Sequence, residues 1–400
     1  MSDDTQGIAV PAAYRGREQA YVKHRLLEAY LEKLFMIVGL GAKTLGIKEL
    51  AYVDCFAGPW GDESDSMDAT SIAISLGVLS ECRTALLKLG IDLSFRALYI
   101  EKDRKAFGRL KQYLGNRKPD GVDAEPLEGD FTDLMPPIQE WANRDAFVFF
   151  FIDPKAWRPV SVGVLKPLLE RPHSEFLINL MYDFVNRAAS MAEMKTQIAE
   201  LLGEAPGVEG LTGAPREKEL LDVYRRNLKR LIPVQRQWRA RSAYARVLDP
   251  VKDRPKYHLV YLTTHPRGLI EFMDASEKLD LIQKRARADT KQRRREEKSG
   301  MHGLFEDSAL VRAEDGRVNE EEVEKYWLGR LTHEPQRFGQ SEFADMLEET
   351  DWFPRDLQLA LGNLMRRGLV QNLDAPGVRR SKFLHFDGAG ERLQLGKEKS

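Results

Sequence analysis

Cysteine is scarce, with Cys55 and Cys82 the whole complement of 400 residues, too few for a disulfide framework. The seven histidines show no paired ligand spacing, which argues against a structural metal. No unbroken apolar run is long enough to span a bilayer. Met1 to Arg17 has neither the basic start nor the apolar centre of a signal peptide, so the chain reads as cytoplasmic and without membrane contact. An excess of one charge sign is also missing: 61 Lys and Arg stand against 62 Asp and Glu, a formal net charge of −1. Any attraction to a polyanion must therefore be local. Repeats and low-complexity tracts are absent too. A 42% hydrophobic chain of this length is enough for two or three domains of roughly 100–200 residues each.

What is present is organised around residues 50–62, LAYVDCFAGPWGD. A short apolar run, Ala51 to Val53, delivers Asp54 and then a turn of small residues, Phe56-Ala57-Gly58-Pro59-Trp60-Gly61. A buried strand releasing its backbone close to a ligand needs this order, and the ligand class it suggests is a nucleotide. Before it, residues 1–20 read as a weakly ordered tail and Tyr21 to Gly39 as an amphipathic helix opened by Lys23 and His24. Those two are either an ordinary polar first turn or neighbours of a bound cofactor.

After it the chain alternates. Ser66 to Gly90 reads as helix, and Phe95 to Ile100 as a strand ending in Glu101. An acid at the tip of the second strand of a doubly wound sheet commonly accepts from both ribose hydroxyls; the alternative is an exposed strand-end acid. A helix from Arg104 to about Asn116 and a strand near Ala124 to Leu127 lead to Asp130, a candidate reader of the adenine amine. Ala146 to Ile152, AFVFFFI, has no polar alternation and must be buried on both faces. Asp153-Pro154-Lys155-Ala156-Trp157 follows at its carboxyl end, the edge where open α/β sheets bind ligands. Ser174 to Leu180 is a fifth strand, with Asn179, Tyr182 and Asp183 leaving its end. The pattern predicts one doubly wound, mostly parallel sheet covered on both faces.

Residues 184–242 read as a helical insertion. From Arg225 to Arg246 eight basic residues meet no Asp or Glu. Arg225, Arg226, Arg236, Arg239 and Arg241 with the interleaved Trp238 have the composition of a nucleic-acid surface. Tyr244 to Val251 and Tyr257 to Thr264 read as a closing antiparallel pair. A helix over 271–298 follows, whose second half holds eight Lys or Arg against three acids and reads as a second phosphate-contacting arm or a solvated face. With a domain over 21–298 and a linker over 299–316, residues 317–400 form a separate unit. Three helices, then strands over 369–373 and 382–386, are the order of a winged helix.

Asp54-Cys55-Phe56-Ala57-Gly58, Glu101, Asp130 and Asp153-Pro154-Lys155-Ala156-Trp157, on successive strands, resemble a class I S-adenosylmethionine-dependent methyltransferase. More narrowly, the FAGPWG turn, the FIDPKAW strand end, the Lys23-His24 helix and the YHLVYLTTHP strand resemble the three-Cys-motif partner proteins (TcmP) over about residues 20–280. The resemblance implies a Rossmann-like fold, S-adenosylmethionine as cofactor, and a radical S-adenosylmethionine-like three-Cys-motif protein as partner. It also implies a cofactor set of Lys23, His24, Asp54, Phe56, Ala57, Gly58, Glu101 and Asp130, and a catalytic set of Asp153, Pro154, Lys155 and Trp157.

In amino methyltransferases acting on bases, an Asp/Asn-Pro-Pro-aromatic element presents a carboxylate or amide to the target amine and an aromatic ring to the base, which must be flipped out of a duplex. Asp153 is suited to accept from the amine, Pro154 to fix the backbone, and Trp157 to stack. Lys155 replaces the second proline, the aromatic comes one residue later, and the 58–61 turn is poorer in glycine than the usual loop. Two functions stay open: a nucleic-acid methyltransferase, or a non-catalytic nucleic-acid-binding subunit of the three-Cys-motif protein.

Overall fold

The computed structural model describes residues 10, 11, 14, 16–58, 69–299, 307, 311, 312, 316–375 and 377–396. Most of the expected tail and linker therefore lies outside the described residues. The first helix, α1 (Glu18–Leu45), buries Leu26, Leu27, Tyr30, Leu31, Leu34 and Phe35 on one face, the spacing that marks it in the sequence. It does not stop at Gly39. A Cβ there would lie 2.3 Å from Leu86 Cδ1, so this glycine serves close packing. The helix ends at Gly46, in the left-handed region at φ 74°, whose N–H donates to Ala42 O.

The chain then alternates through β1 (Glu49–Asp54), α2 (Ser71–Lys88), β2 (Ser94–Glu101), α3 (Arg104–Arg117), β3 (Val122–Glu128), α4 (Met135–Trp141), β4 (Ala146–Ile152), α5 (Val162–Leu169) and β5 (Ser174–Leu180). Side chains set two of the helix starts: Thr70 accepts from Ala73 N and Asp103 from Ala106 N. Three helices fill the insertion, α6 (Tyr182–Ala188), α7 (Lys195–Leu202) and α8 (Gly213–Leu231). They are followed by β6 (Arg241–Leu248), β7 (Pro255–Thr263) and the long α9 (Pro266–Ser299).

The strand order is β3-β2-β1-β4-β5-β7-β6. The first five strands are parallel, and β7 runs antiparallel to both β5 and β6. This is a doubly wound, mostly parallel sheet with one antiparallel strand, as the sequence predicts. Side chains alternate between two apolar layers. Leu50, Tyr52, Phe147, Phe149 and Phe151 pack with α1, α2 and α9, while Ala51, Val53, Val148, Phe150 and Ile152 pack with α5, α7 and α8. The strand order reverses between β1 and β4, so Asp54 and Asp153 leave the sheet at its switch point, where a crevice opens in folds of this kind.

The C-terminal unit contains α10 (Glu320–Arg330), β8 (Gln336–Phe338), α11 (Gln340–Thr350), α12 (Pro354–Arg366), β9 (Val370–Asn372) and β10 (Glu391–Leu395). Trp327 is its fully buried centre, and its indole N–H donates to Leu357 O at 2.9 Å. The wing's return strand is β10, not residues 382–386 as the sequence suggests. Phe383 and Leu384 are buried there as anchors of a loop, and Gln358 clamps both backbone groups of Leu384 at 2.8 and 2.9 Å. Buried anchors give the same hydrophobic signal as a strand.

Candidate active site

Asp54 ends β1 completely buried. Its carboxylate accepts from Phe56 N at 3.1 Å and from the Ser71 hydroxyl at 2.6 Å, tying the turn to the start of α2. Burial, with the charge of Asp153 adding to it, pushes this carboxyl up to about 7. The turn is also stitched sideways: Cys55 N donates to Phe151 O at 2.9 Å and Ala57 N to Ile100 O at 2.8 Å. Asp54 thus shapes the turn from beneath rather than facing a ligand. Gly58 is the last described residue of this turn; Pro59, Trp60 and Gly61, and any capping or packing by Trp60, lie outside the described residues.

Glu101 closes β2, mostly buried, with Oε1 accepting from Asp103 N at 2.6 Å. Next to it, Asp130 accepts from Thr132 N at 3.0 Å and from its hydroxyl at 2.8 Å. These bonds, with Lys102 nearby, hold its carboxyl below the usual range. Phe131, which follows Asp130, is buried, its ring centroid 5.1 Å from that of Phe56. Glu101, Asp130 and the Phe56–Gly58 turn therefore share the carboxyl edge of β1, β2 and β3.

Across the switch point, Asp153 is held from two sides. Lys23 Nζ lies 2.5 Å from Oδ2, and Asn179 Nδ2 donates to Oδ1 at 2.5 Å. This places α1, β4 and β5 in one polar cluster, with the Lys23 ammonium also over the Tyr257 ring at 5.4 Å. Asn179 Oδ1 is buried with no hydrogen-bond partner among the described residues, an acceptor left unsatisfied beside Asp153. Its Nδ2 is turned to Asp153 because the reverse orientation would set two acceptors against each other. His24, beside Lys23, is lowered to about 4 by burial and is uncharged at neutral pH, with its Nδ1 hydrogen-bonded to the Tyr14 hydroxyl at 3.0 Å.

Pro154 is buried, whereas Lys155 and Ala156 are exposed. Trp157 packs its ring 5.6 Å from that of Phe184, leaving an aromatic pair at the rim. Ser71, Phe131, Thr132, Tyr257 and Phe184 join the site without any sequence motif. Only Asn179 carries a signal, a polar residue near the end of an otherwise apolar strand.

The basic segment after residue 225 has a different location from the one its composition suggests. Arg225 is buried and pairs with Asp351 at 2.9 Å, with its guanidinium also donating to Ser242 O at 2.5 Å. Arg241 is buried against Asp345 at 2.8 Å, and Arg239 reaches Asp345 and Glu348 at 2.8 and 2.7 Å. The three acids belong to α11 and its C-cap, so these arginines dock the C-terminal unit and are not an open phosphate surface. Arg226 pairs with Glu204 at 2.6 Å, Arg236 donates to Thr44 O at 2.8 Å, and Trp238 lies against His265 with centroids 4.1 Å apart. The second half of α9 is where basic residues line open space. Lys284, Arg287, Lys291, Arg294, Arg295 and Lys298 wall a groove of about 1060 Å³, with Asp307 on its border. Arg287 and Lys291 share Asp253, at 2.5 and 3.2 Å.

Residues 291–377 match the GMT-like wHTH domain. The C-terminal unit is a winged helix-turn-helix domain. No curated protein matches the chain. Among solved structures, the O-methyltransferase from Bacillus cereus in complex with SAH is 11% identical over 64% of this chain and 94% of its own, with a TM-score of 0.29. The protein LPL1258 from Legionella pneumophila is 9% identical over 66% and 90%, at 0.35. A loganic acid methyltransferase with SAH is 10% identical over 98% of both chains, at 0.26. Scores of this size transfer no residue role. Among the described residues no helix is long and apolar enough to cross a membrane, and no group of His, Cys, Asp and Glu could hold a metal ion.

Proposed function

We propose that the chain is an S-adenosylmethionine-dependent methyltransferase acting on nucleic acid, in company with a three-Cys-motif, radical S-adenosylmethionine-like protein. The observation that carries this reading is the convergence of Glu101, the Phe56–Gly58 turn and the Lys23–Asp153–Asn179 cluster on the switch-point edge of one sheet. The donor set suits the cofactor. Glu101 would hold the ribose hydroxyls, Asp130 and Phe131 would meet the adenine, and the turn backbone with Lys23 and His24 would meet the amino-acid end. Asp54 would act through the turn that it braces. S-adenosylmethionine, when bound, supplies an electrophilic methyl group.

The chain's own part is positioning, the main source of rate in such transfers. Asn179 Oδ1, unpartnered and buried, would accept one target N–H. Asp153 would accept the other on exchanging one of its present bonds. Trp157 with Phe184 would stack on the base at the rim, and Pro154 would hold the strand exit rigid. The winged helix-turn-helix domain and the basic wall of α9 would hold the polymer, through phosphates rather than bases.

A second reading has one observation in its favour: both Asp153 oxygens are already engaged, by Lys23 and Asn179. In a non-catalytic partner subunit such a cluster would only brace the fold. Incubating the purified chain with labelled S-adenosylmethionine and single-stranded DNA or RNA, with and without the three-Cys-motif protein, separates the two. Label on the nucleic acid supports transfer. Cofactor and nucleic-acid binding with no label under either condition would leave the subunit reading.

A further inference from the structure

At the edge of the sheet opposite the switch point, a cavity of about 390 Å³ lies at the amino-terminal ends of β4 and β5. One wall is a stripe of α1, with Leu34, Ile37, Val38 and Leu45 at helical spacing. Such a stripe ordinarily packs against a neighbour. Here it faces a space within the usual range of small-molecule sites, roughly 300–1,000 Å³. The facing wall is the tight turn from Gln235 to Trp238, closed by reciprocal backbone bonds of 3.1 and 2.9 Å, which sets the Trp238 indole against His265. Gln340, the first residue of α11, also borders the cavity. The site thus lies where the winged helix-turn-helix domain meets the sheet, and domain boundaries are common places for ligand pockets.

Three further observations bear on what it holds. Of the four described non-glycine residues in the left-handed region, two line this cavity, His173 at φ 52° and Arg236 at φ 54°; strain of this kind gathers at ligand sites. The Gln235 side-chain Nε2 is buried with no partner among the described residues, a donor awaiting an acceptor. Both acids of the lining are already engaged, which leaves Arg236 as the lining cation that faces no carboxylate among the described residues. Arg236 and Arg267 stand on the lining, while Glu271 is held by Lys33 at 3.0 Å as well as by Arg267 at 3.6 Å. Glu175 is enclosed by the hydroxyls of Tyr30, Tyr261 and Thr263 at 2.9, 2.6 and 2.7 Å, and its carboxyl is raised to about 7 by burial.

We propose that this cavity binds a flat apolar molecule carrying one anionic group, with its body between α1 and Trp238 and its charge against Arg236 and Gln235. Two dyes of one shape test this on the full chain: anionic 8-anilinonaphthalene-1-sulfonate and uncharged N-phenyl-1-naphthylamine. Gly41 lies on the cavity stripe, and a Cβ there meets only Leu45, at 3.5 Å. Gly41→Leu therefore fills the space while favouring the helix. Wild type should bind the sulfonate saturably at one site, and Gly41→Leu at least about tenfold more weakly with unchanged circular dichroism. Arg236→Gly relieves the left-handed backbone and removes the charge. It should weaken the sulfonate roughly five- to tenfold while leaving the uncharged dye within about twofold. Absence of saturable binding to wild type, or Gly41→Leu binding both dyes as wild type does, overturns the proposal. If Gly41→Leu fails to fold, Arg236→Gly decides alone: no loss, or equal loss for the two dyes, overturns it.

Discussion

Glu348 joins the winged helix-turn-helix domain to the sheet domain through three bonds. Its side chain is 8% exposed, and it meets Lys229 Nζ at 2.6 Å, Arg239 at 2.7 Å and Ser242 N at 2.9 Å. Glu348→Ala strands all three donors. Removing one partner of a fully buried ion pair costs about 3–5 kcal/mol. Lys229 and Arg239 are 26% and 48% exposed and regain water, which lowers their share to roughly 1–2 kcal/mol. The Ser242 N–H, on a buried residue, adds about 1 kcal/mol, for a total loss of roughly 2–3 kcal/mol. Glu348→Gln keeps an acceptor for that N–H and should lose about half as much. The assay is urea unfolding of the full chain, in which an undocked domain also splits one transition into two. The neighbouring cations hold the Glu348 carboxyl below its ordinary value of 4.5 despite its burial. Its contribution is therefore present above pH 4.5 and is lost as the pH falls through the lower folded value. The wild-type advantage should be full at pH 7 and shrink below about pH 4. An alanine variant within about 0.5 kcal/mol of wild type at pH 7, or a difference independent of pH, would refute the docking role.

Glu175 gives the opposite pH signature. Its folded value is raised from 4.5 to about 7, so the native state binds its proton more tightly, and stability present below pH 4.5 is lost as the pH rises through 7, by about 3 kcal/mol. Glu175→Gln should flatten that slope in urea titrations, and a slope unchanged from wild type would count against a buried, ionising Glu175. Asp153→Ala should lower methyl transfer by roughly 100-fold or more while leaving the S-adenosylmethionine Kd within about threefold; full transfer would remove Asp153 from its proposed role. Changing Lys291, Arg294 and Lys298 together to Gln should reduce the salt dependence of nucleic-acid binding by a slope of about 2–3 in log Kd against log salt. The same change at Arg225 and Arg241 should instead destabilise the domain interface, read as lost urea stability.

The sheet is legible in the sequence because its central strands are continuous apolar runs. Ser174–Leu180 is bounded alike in both, and AFVFFFI has the burial on both faces that its lack of alternation requires. The winged helix-turn-helix order is legible in the helical spacing of its apolar residues, with caps near Asn319 and Phe353. What is not legible depends on distance along the chain. The eight basic residues between Arg225 and Arg246 stand without acids only in sequence. In space Asp345, Glu348 and Asp351 neutralise much of the run. Gly39 reads as the end of α1 in the sequence, but it packs against Leu86 inside the helix, which ends at the left-handed Gly46 instead. Lys23 and Asp153 both read as site residues, but their ion pair spans 130 positions and leaves no local pattern. The cavity behind the sheet is invisible to motif reading, since its walls come from residues as far apart as Tyr30 and Gln340.

The central claim is that the switch-point edge is a cofactor site whose ribose contact is Glu101. Calorimetric titration of the purified chain with S-adenosylmethionine, beside the Glu101→Ala variant, tests it most directly. Saturable one-site binding by wild type, weakened at least tenfold in a variant of unchanged thermal stability, is the predicted result; loss of even one of the two charge-assisted bonds accounts for roughly that factor. No binding to wild type, or equal binding to both proteins, would contradict the claim.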